Sequence, residues 1–580
     1  MSEETVTEQT HLLKDGAIPY SDENKNSISD NDFTTRSSSN NTVPFRIKVI
    51  VLCILLTELC ERLTYYSVSA NLVLFANTHL GFTNPEAASI NFIFTGTGYA
   101  IPIISGYIAD SFIGQYNTIF GSSLIYIVGS VALVLVAAPY DLPFSTSAQS
   151  AFYIGGLAFI AIGTGGIKSN VSPFGADQLK DSGPLLIQRF FSWFYFFINV
   201  GSLVSFTAVA YIQQNVSFFY GYMIPAISMA LAIIIFISAR SYYVVRSPKG
   251  SLLIDAVRMM WQGLRVKLCC RDAGARNGRI TSIFDYAKQE NGGSFESSQV
   301  EKIKPLGRVI PVFILIILYW TVYFQMQTTW FIQGESMNLK LGSFKLPAAA
   351  LSSFDTVSVL VFIPIINYGV YPLYKKIFGR SLTQLQRIGI GMIFASLAML
   401  AAGILEGYRL IDVHENPLPQ VVAGSTFNAS GNISVLAQIP QFALIGLSEV
   451  FTSITGLEYA YSEAPEELKG LIMGLYLLTS GLGSYLGSLI IVIVNAASRN
   501  PKVRNSEWIP KDINNGHLDY YCYFLAVFMA ANFIIYVLMT TFWYKGEGTE
   551  SEDNVRIVTS AHEPTAPDLV HTHSKNNYDV

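Results

Sequence analysis

Long apolar runs, separated by short polar stretches, repeat along most of this chain. Each run is close to the roughly 20 residues that an α-helix needs to cross the hydrocarbon core of a bilayer. The pattern predicts twelve spanning helices in two groups of six. The predicted spans cover residues 47–75, 87–109, 118–138, 151–171, 192–211 and 219–239, and then 309–332, 348–371, 387–404, 439–461, 471–496 and 520–544.

The remaining polar segments divide the chain into five predicted regions. Residues 1–45 and 546–580 are polar and poor in apolar residues, which is typical of disordered tails. Two six-helix bundles are predicted at 46–245 and 306–545, joined by a basic linker at 246–305. The sequence therefore predicts an all-α membrane protein built from two six-helix halves.

The linker contains one clear helical pattern. Leu253, Val257, Met260, Trp261 and Leu264 recur at helical spacing, with basic residues between them. An apolar stripe flanked by basic residues is typical of a helix that lies at a membrane surface. We expect this helix to act as a strut between the two halves.

Charge and glycosylation signals predict the same orientation in the membrane. Twelve Lys and Arg residues lie between Arg246 and Arg308, and such basic loops stay in the cytosol. With six spans on either side, both termini are then cytosolic. The connection between spans 9 and 10 has few basic residues and two glycosylation sequons, at Asn428 and Asn432. These sequons can be used only on the lumenal side.

The N-terminal tail contains a predicted sorting signal. Glu8 is followed, after three residues, by the pair Leu12 and Leu13. This spacing resembles the acidic dileucine signal that clathrin adaptor complexes read in proteins bound for endosomes and lysosomes. A leucine pair in an otherwise polar tail is not expected to belong to a buried core. Adaptor complexes are therefore predicted partners of a cytosolic tail.

Composition limits the possible chemistry. The chain is 51% hydrophobic and only 13% charged, against about 25% charged in an ordinary soluble domain. A net charge of -4 and the lack of a basic arm give no support for a nucleic-acid partner. The five cysteines show neither a disulfide framework nor metal-ligand spacing. Neither a metal nor a cofactor is predicted.

Three charged residues interrupt the first apolar run. Glu58 and Arg62 lie four residues apart, in the favourable acid-first order, and Glu61 lies on the same side of a helix. Tyr65 and Tyr66 extend this face. Each charge costs about 2.5–3.5 kcal/mol if it faces lipid, so the charges must be paired or lined by water.

Two interpretations of this cluster differ in function. A structural ion pair that locks two helices together accounts for Glu58 and Arg62 but leaves Glu61 without a partner. A site for a charged solute and a proton accounts for all three residues, because ionisable groups within a membrane commonly mark transport pathways. We favour the second interpretation.

Three motifs in chain order resemble the proton-coupled oligopeptide transporter family. They are the first-span pattern of Glu58, Glu61, Arg62, Tyr65 and Tyr66, then residues 106–114 at the end of span 2, and residues 194–203 in span 5. The resemblance covers everything except the two tails. It implies a major-facilitator fold with two pseudo-symmetric halves and transport by alternating access.

The resemblance also implies roles for residues outside the first span. Lys168 is similar to a family lysine that faces the first-span glutamates, and Asn199 to an asparagine that bonds the peptide. Glu449 is similar to the acid that meets the amino group of the substrate. Tyr99 and Trp320 resemble residues of the pocket wall.

One family feature is missing from span 7. Many relatives have an acid just before a glutamine in this span, whereas this chain has Phe324 before Gln325. We therefore expect no ion pair from that position.

Residues 319–330 and 449–458 resemble the peptide/histidine transporters of endolysosomes. The short connection between spans 9 and 10 agrees with that branch. The resemblance implies a proton-coupled symporter, with Glu58, Glu61 and Lys168 in proton coupling, that exports histidine and di- and tripeptides from the acidic lumen.

Three alternatives remain from the sequence. The chain could be a transport-linked receptor or scaffold that presents its cytosolic face to a signalling adaptor. A membrane enzyme is disfavoured, because no set of nucleophile, base and orienting group stands out. Plant relatives that carry nitrate or other anions use the same fold, but they typically lose the first-span acid-acid-basic set, which is intact here.

Overall fold

Helices make up nearly all of the regular structure in this protein. The computed structural model describes residues 45–139, 145–180, 184–248, 253–269, 282–463, 469–499 and 506–560. The tail residues Glu8, Leu12 and Leu13 lie outside these ranges, so the sorting signal stays a prediction.

Six spans precede the linker, as predicted. They comprise α1 (Phe45–Ala70) and α2 (Leu72–Thr78) in span 1, α3 (Asn84–Ile108) and the π-helix Ala109–Ile113 in span 2, α4 (Gln115–Val136) in span 3, α5 (Thr146–Lys168) and α6 (Val171–Gln178) in span 4, α7 (Pro184–Val204), the π-helix Ser205–Val209 and α8 (Ala210–Asn215) in span 5, and α9 (Phe218–Ser238) and the 3-10 helix Arg240–Tyr242 in span 6.

Six spans follow the linker, and several are interrupted. They comprise α12 (Leu306–Tyr323), the 3-10 helix Phe324–Gln327 and α13 (Thr329–Glu335) in span 7, the 3-10 helix Ala348–Leu351, α14 (Ser352–Pro364), the π-helix Ile365–Val370 and α15 (Tyr371–Phe378) in span 8, α16 (Gln384–Glu415) in span 9, α17 (Ile439–Glu449), the π-helix Val450–Ile454 and α18 (Thr455–Ser462) in span 10, α19 (Lys469–Ser498) in span 11, and α20 (Leu518–Ser560) in span 12.

Local sequence signals set several of these boundaries. Thr83 and Glu86 form a capping box at the start of α3, and Pro85 occupies its first turn. Gly114 separates the π-helix of span 2 from α4 and has φ of +80°, which glycine adopts without strain. No proline lies between the predicted end of span 12, at residue 544, and Pro564. The last helix continues to Ser560 and so runs past that predicted end.

The membrane-spanning character of the chain agrees with the prediction. Eleven helical stretches of the described residues are long and apolar enough to cross a bilayer. The helix Phe45–Ala70 is not among them, although its 26 residues are sufficient in length. Three charged residues lie at its centre and lower its hydropathy. With this charged helix, the fold has the twelve predicted spans.

The linker forms a small folded unit. Its helix α10 (Leu253–Cys269) is followed by the 3-10 helices Ile283–Ala287 and Gln289–Asn291 and by α11 (Ser297–Ile303). The residues of α10 that pack inward include Ala256 and Met259. In the predicted apolar stripe, Trp261 is 71% exposed, so the stripe faces away from this unit. Membrane contact by this stripe stays a prediction.

Spans 2 and 11 form the seam between the two halves. A Cβ atom on Gly481 would lie 2.9 Å from the carbonyl oxygen of Gly96. Ser484 Oγ donates a hydrogen bond to Phe92 O at 2.7 Å. Small residues therefore let the two helices approach closely, as in other packed membrane helices.

The connection between spans 9 and 10 differs from the predicted loop. Strands β3 (Pro417–Val422) and β4 (Ser425–Ser430) pair as an antiparallel hairpin. We call this end of the bundle the hairpin face. A shorter hairpin, β1 (Lys340–Leu341) and β2 (Phe344–Lys345), follows span 7.

Contacts between the halves also occur at the hairpin face. Asn84 Nδ2, at the start of span 2, donates to the carbonyl oxygens of Pro510 and Lys511 at 3.0 and 3.1 Å. The rings of Tyr211 and Phe344 stack with centroids 5.4 Å apart. The two halves are therefore joined at this face.

Candidate functional site

The three charged residues of span 1 lie together inside the protein. Arg62 Nε donates to Glu58 Oε1 at 2.7 Å and lies 2.8 Å from Glu61 Oε2. All three residues are at most 4% exposed. The second oxygen of Glu58 accepts no hydrogen bond from a described residue. One guanidinium therefore faces two carboxyl groups, and the cluster is not saturated.

Span 4 adds a contact that the sequence did not predict. Thr164 Oγ1 donates to Glu61 Oε1 at 2.5 Å. Span 4 packs closely because Gly165 and Gly166 follow Thr164. A Cβ atom on Gly165 would lie 2.5 Å from Ile101 Cβ, and one on Gly166 would overlap Ser122 Oγ. The glycine pair thus lets span 4 pack tightly against spans 2 and 3 just beyond Thr164.

Lys168 lies near both first-span glutamates, and aromatic rings surround its ammonium group. Its Nζ atom lies 3.7 Å from the ring centroid of Tyr99 and 4.9 Å from that of Tyr65. Among the described residues it forms no ion pair with either first-span glutamate. Arg62 already fills the space beside both carboxyl groups. The lysine instead rests on aromatic faces, which stabilise a cation by about 0.5–2 kcal/mol.

Span 5 approaches span 1 closely at the charged cluster. A Cβ atom on Gly201 would lie 3.1 Å from Arg62 Cβ, and Ser205 Oγ donates to Leu63 O at 2.8 Å. Asn199 is half-buried, and its Nδ2 donates to Tyr195 O of its own helix at 2.8 Å. The structure thus places Asn199 two residues before Gly201, the residue of span 5 that contacts Arg62.

Aromatic side chains connect the charged cluster to the other half. Tyr65 and Tyr66 meet edge to face, with centroids 5.4 Å apart. Tyr99 of span 2 contacts Phe324 of span 7 at 5.9 Å, and Phe324 stacks on Trp320 at the same distance. Phe324, which replaces the family acid, therefore acts as part of this aromatic wall.

Trp320 is fixed by a polar contact within its own half. Its Nε1 donates to Thr479 Oγ1 of span 11 at 3.1 Å, and the side chain is largely buried. The assignment of Tyr99 and Trp320 to a pocket wall stays a prediction.

The second half contributes a group of acidic and phenolic side chains. Tyr323 Oη donates to Glu449 Oε2 at 3.1 Å and lies 3.4 Å from Asp355 Oδ2. Asp355 is 6% exposed. The sequence analysis omitted Asp355 and Tyr323, although an acid within predicted span 8 satisfies the same rule that identified Glu58 and Glu61.

Complementary charges are available in the two halves. Arg62 and Lys168 of the first half can bind an anionic group, and a planar guanidinium suits a carboxylate. Glu449 and Asp355 of the second half can accept an ammonium group. The described residues contain no group of three or more His, Cys, Asp or Glu side chains suited to a metal ion.

Comparisons with known proteins identify a single family. The model of the POT family (PTR2) matches residues 116–509. The chain is similar to Protein NRT1/ PTR FAMILY 8.3 of Arabidopsis thaliana, with 37% identity over 83% of this chain and 89% of that protein. It is also similar to Solute carrier family 15 member 3 of Mus musculus, with 30% identity over 83% of this chain and 89% of that protein.

A solved structure supports the same assignment. An auto inhibited POT family peptide transporter superposes with a TM-score of 0.66 and 25% identity, over 85% of this chain and 97% of that one. Together with the matched family model, this likeness confirms a multi-pass membrane transporter of major-facilitator type. The chain belongs to the POT family of proton-coupled oligopeptide transporters.

Proposed function

We propose that this protein is a proton-coupled symporter that exports histidine and di- and tripeptides from the endolysosomal lumen to the cytosol. Protons and the substrate move together as the site between the two halves opens first to the lumen and then to the cytosol. The proposal is supported by family membership, by the endolysosomal features of the sequence and by the charge arrangement of the site.

The observation that carries the proposal is the separation of charge across the two halves. The first half has cationic groups, Arg62 and Lys168, next to acids that can take a proton. The second half has Glu449 and Asp355, and among the described residues no basic side chain pairs with either. A zwitterionic substrate can bridge the halves, with its carboxylate toward Arg62 and its ammonium toward Glu449.

A proton can free the cations for the substrate. When Glu61 is protonated, Arg62 is balanced by Glu58 alone and its terminal nitrogens can bind a carboxylate. Water can fill the space between the two charged ends, so the site tolerates substrates of different length. Histidine, dipeptides and tripeptides all satisfy this requirement.

The proton gradient supplies enough free energy for accumulation. One coupled proton supplies roughly 1.36 kcal/mol per pH unit, so about two pH units drive an accumulation of about a hundredfold. Any potential that is positive in the lumen adds about 2.3 kcal/mol per 100 mV for each net charge moved.

Transport by purified protein in proteoliposomes tests the proposal. We expect an imposed pH gradient to drive uptake of labelled histidine, and unlabelled dipeptides to compete with it. Absence of pH-driven uptake for every peptide and for histidine would contradict the proposal. Uptake of nitrate alone would assign the chain to anion transport, and conformation-dependent capture of a cytosolic adaptor that survives Arg62→Ala would favour the receptor alternative.

The location in the cell has its own test. If Glu8, Leu12 and Leu13 recruit clathrin adaptors, Leu12→Ala with Leu13→Ala moves the protein to the cell surface. Retention of the double variant in lysosomes would contradict this role.

Glycosylation tests the orientation. The side chains of Asn428 and Asn432 are exposed on the hairpin face, where a lumenal position makes them acceptors. Asn428→Gln with Asn432→Gln is expected to remove the mobility shift that peptide N-glycosidase causes in the parent protein. Absence of any shift in the parent would contradict glycosylation at these residues.

A further inference from the structure

Asp355 is a buried carboxyl group that has no role in proton binding in the transport cycle proposed above. Its Oδ2 atom lies 3.4 Å from Tyr323 Oη, and the same hydroxyl group donates to Glu449 Oε2 at 3.1 Å. Its other oxygen, Oδ1, is buried and accepts no hydrogen bond from a described residue. A single phenolic proton cannot satisfy both carboxyl groups at once.

The backbone brings the two acids close together. A Cβ atom on Gly446 would lie 3.1 Å from Asp355 Oδ1, so α17 approaches α14 directly at this acid. Glu449 follows Gly446 by three residues and therefore lies on the same face of α17. The two carboxyl groups are near enough to share a hydrogen bond when one of them is protonated. The π-helix Val450–Ile454 begins directly after Glu449, and such segments are frequent at functional sites.

The titratable neighbours of this pair are tyrosines. Tyr319 and Tyr323 face both acids from span 7, and Tyr195 faces both from span 5. Glu449 alone is faced by Tyr66 of span 1, Tyr99 of span 2 and Tyr476 of span 11. No Lys, Arg or His of the described chain acts on either carboxyl group. Two like charges in a buried site without a cation repel strongly, so one carboxyl group is expected to hold a proton.

We propose that Asp355 and Glu449 form a proton-binding pair that carries one coupled proton together with the ammonium group of the substrate. The inference rests on the proposed function and adds a second proton site to the one at Glu58 and Glu61. Asp355 is a positioning residue in this role, because Glu449 is the acid that meets the ammonium group.

Charge balance determines the order of events. In the closed state, two carboxylates are neutralised by one ammonium group and one proton. The proton comes from the acidic side and sits on one carboxyl group, while Tyr323 and the ammonium group donate to the other. When the site opens on the other side, water stabilises both ionised carboxylates. The substrate leaves and the proton passes to that solution.

A null-flux measurement in proteoliposomes counts the coupled protons. The membrane potential is held at zero, a pH gradient is imposed, and the opposing dipeptide gradient that stops net flux is determined. Each coupled proton multiplies the balancing gradient by about ten per pH unit. In Asp355→Asn a single carboxylate remains, and the ammonium group alone neutralises it. We expect this variant to balance a gradient about tenfold smaller per pH unit than the parent protein.

A matched control removes an exposed carboxylate from span 10, the span that contains Glu449. Glu458 lies on α18, and its side chain is 51% exposed. Glu458→Gln changes the formal charge as Asp355→Asn does, and it is expected to leave the balancing gradient unchanged. An equal decrease in both variants would overturn the inference, as would an unchanged gradient in Asp355→Asn.

The inference can still be tested if Asp355→Asn folds poorly or does not transport. If Asp355→Asn is not produced as folded protein, Asp355→Ser takes its place in the same measurement. For a variant that binds but does not transport, calorimetry in buffers of different ionisation enthalpy gives the protons bound per dipeptide. We expect one fewer than in the parent, and equal numbers would overturn the inference. Failure of the parent to accumulate dipeptide removes the proposed function and the inference together, whereas failure of the inference alone leaves parental transport intact.

Discussion

Two buried clusters of arginine and glutamate occur among the described residues, and they differ in how fully their side chains are hydrogen-bonded. At the hairpin face, Arg409 binds Glu406 through both Nε and Nη2, at 2.9 and 2.7 Å, and Nη1 donates to Asn514. Gln333 Nε2 donates to Glu406 at 3.0 Å. Arg409 and Glu406 are both 0% exposed. The Arg409 cluster is therefore complete by itself.

The cluster around Arg62 has the same residue types but an incomplete set of bonds. Arg62 serves Glu58 and Glu61 through one nitrogen, and Glu58 keeps a buried oxygen without a hydrogen bond from a described residue. In a saturated pair the carboxylate oxygens already accept hydrogen bonds, so a proton or a ligand adds little stabilisation. In an unsaturated pair a buried oxygen can still take a proton or a hydrogen bond. Saturation thus separates a structural ion pair from a candidate transport site, and burial does not.

The largest expected effect comes from breaking the saturated pair. Arg409→Met leaves Glu406 buried without its cation, which costs about 3–5 kcal/mol of stability. Thermal unfolding in detergent is the measurement. Replacing both residues, Arg409→Met with Glu406→Leu, is expected to recover most of the loss, because an apolar pair avoids the desolvation cost. A single variant as stable as the parent would show that this cluster does not hold the fold.

The next effect concerns the unsaturated cluster. Glu61→Gln removes the proton acceptor but keeps the shape of the side chain. Concentrative uptake driven by two pH units is expected to fall by about a hundredfold, because one coupled proton is lost, while counterflow exchange at equal pH is partly retained. The unfolding temperature is expected to change less than in Arg409→Met. An unchanged pH-driven rate would remove Glu61 from proton coupling.

A smaller effect, on the pH dependence of uptake, is expected from the contact between spans 1 and 4. Thr164→Val removes a donor that stabilises ionised Glu61, at a cost of about 1.5 kcal/mol. The pH profile of uptake is expected to differ from that of the parent. Thr118→Val is the matched control, because Thr118 donates only to Gly114 O within span 3. Equal pH profiles for Thr164→Val and the parent would separate Thr164 from coupling.

The smallest effect is expected at an exposed pair. Arg387 Nη1 lies 3.6 Å from Glu458 Oε2 at the surface. Exposed pairs of this kind contribute about 0–1 kcal/mol, so Glu458→Gln should leave both unfolding temperature and uptake close to those of the parent. A loss comparable with that of Arg409→Met would contradict the distinction between the clusters.

Much of the fold follows from local sequence. Apolar runs of sufficient length predicted the spans, and the acid-first spacing of Glu58 and Arg62 correctly predicted a buried pair. The hairpin between spans 9 and 10 was not predicted, because its strands are six residues long and pair only with each other. The interruption of span 7 at Phe324–Gln327 was missed because this segment contains neither proline nor glycine, the usual marks of a break in a helix.

The candidate site depends more on tertiary contacts. The role of Lys168 in proton coupling stays a prediction, and only the structure shows that its ammonium group rests on Tyr99 and Tyr65. Thr164 was not selected, because a lone threonine in an apolar run does not indicate which distant side chain it meets. Asp355 was missed although an acid within an apolar run is itself a signal; its partners Tyr323 and Glu449 come from other spans. Helical spacing reports only neighbours on one helix.

By itself, the sequence determined the number of spans, the buried charge of the first span and the family, because length, hydropathy and ordered motifs are properties of consecutive residues. The tertiary structure decided which of the buried charges are saturated. It placed Thr164 on Glu61 and brought Asp355 and Glu449 to one tyrosine hydroxyl group. These pairings join residues up to 126 positions apart, and only the packing of separate spans can set such distances.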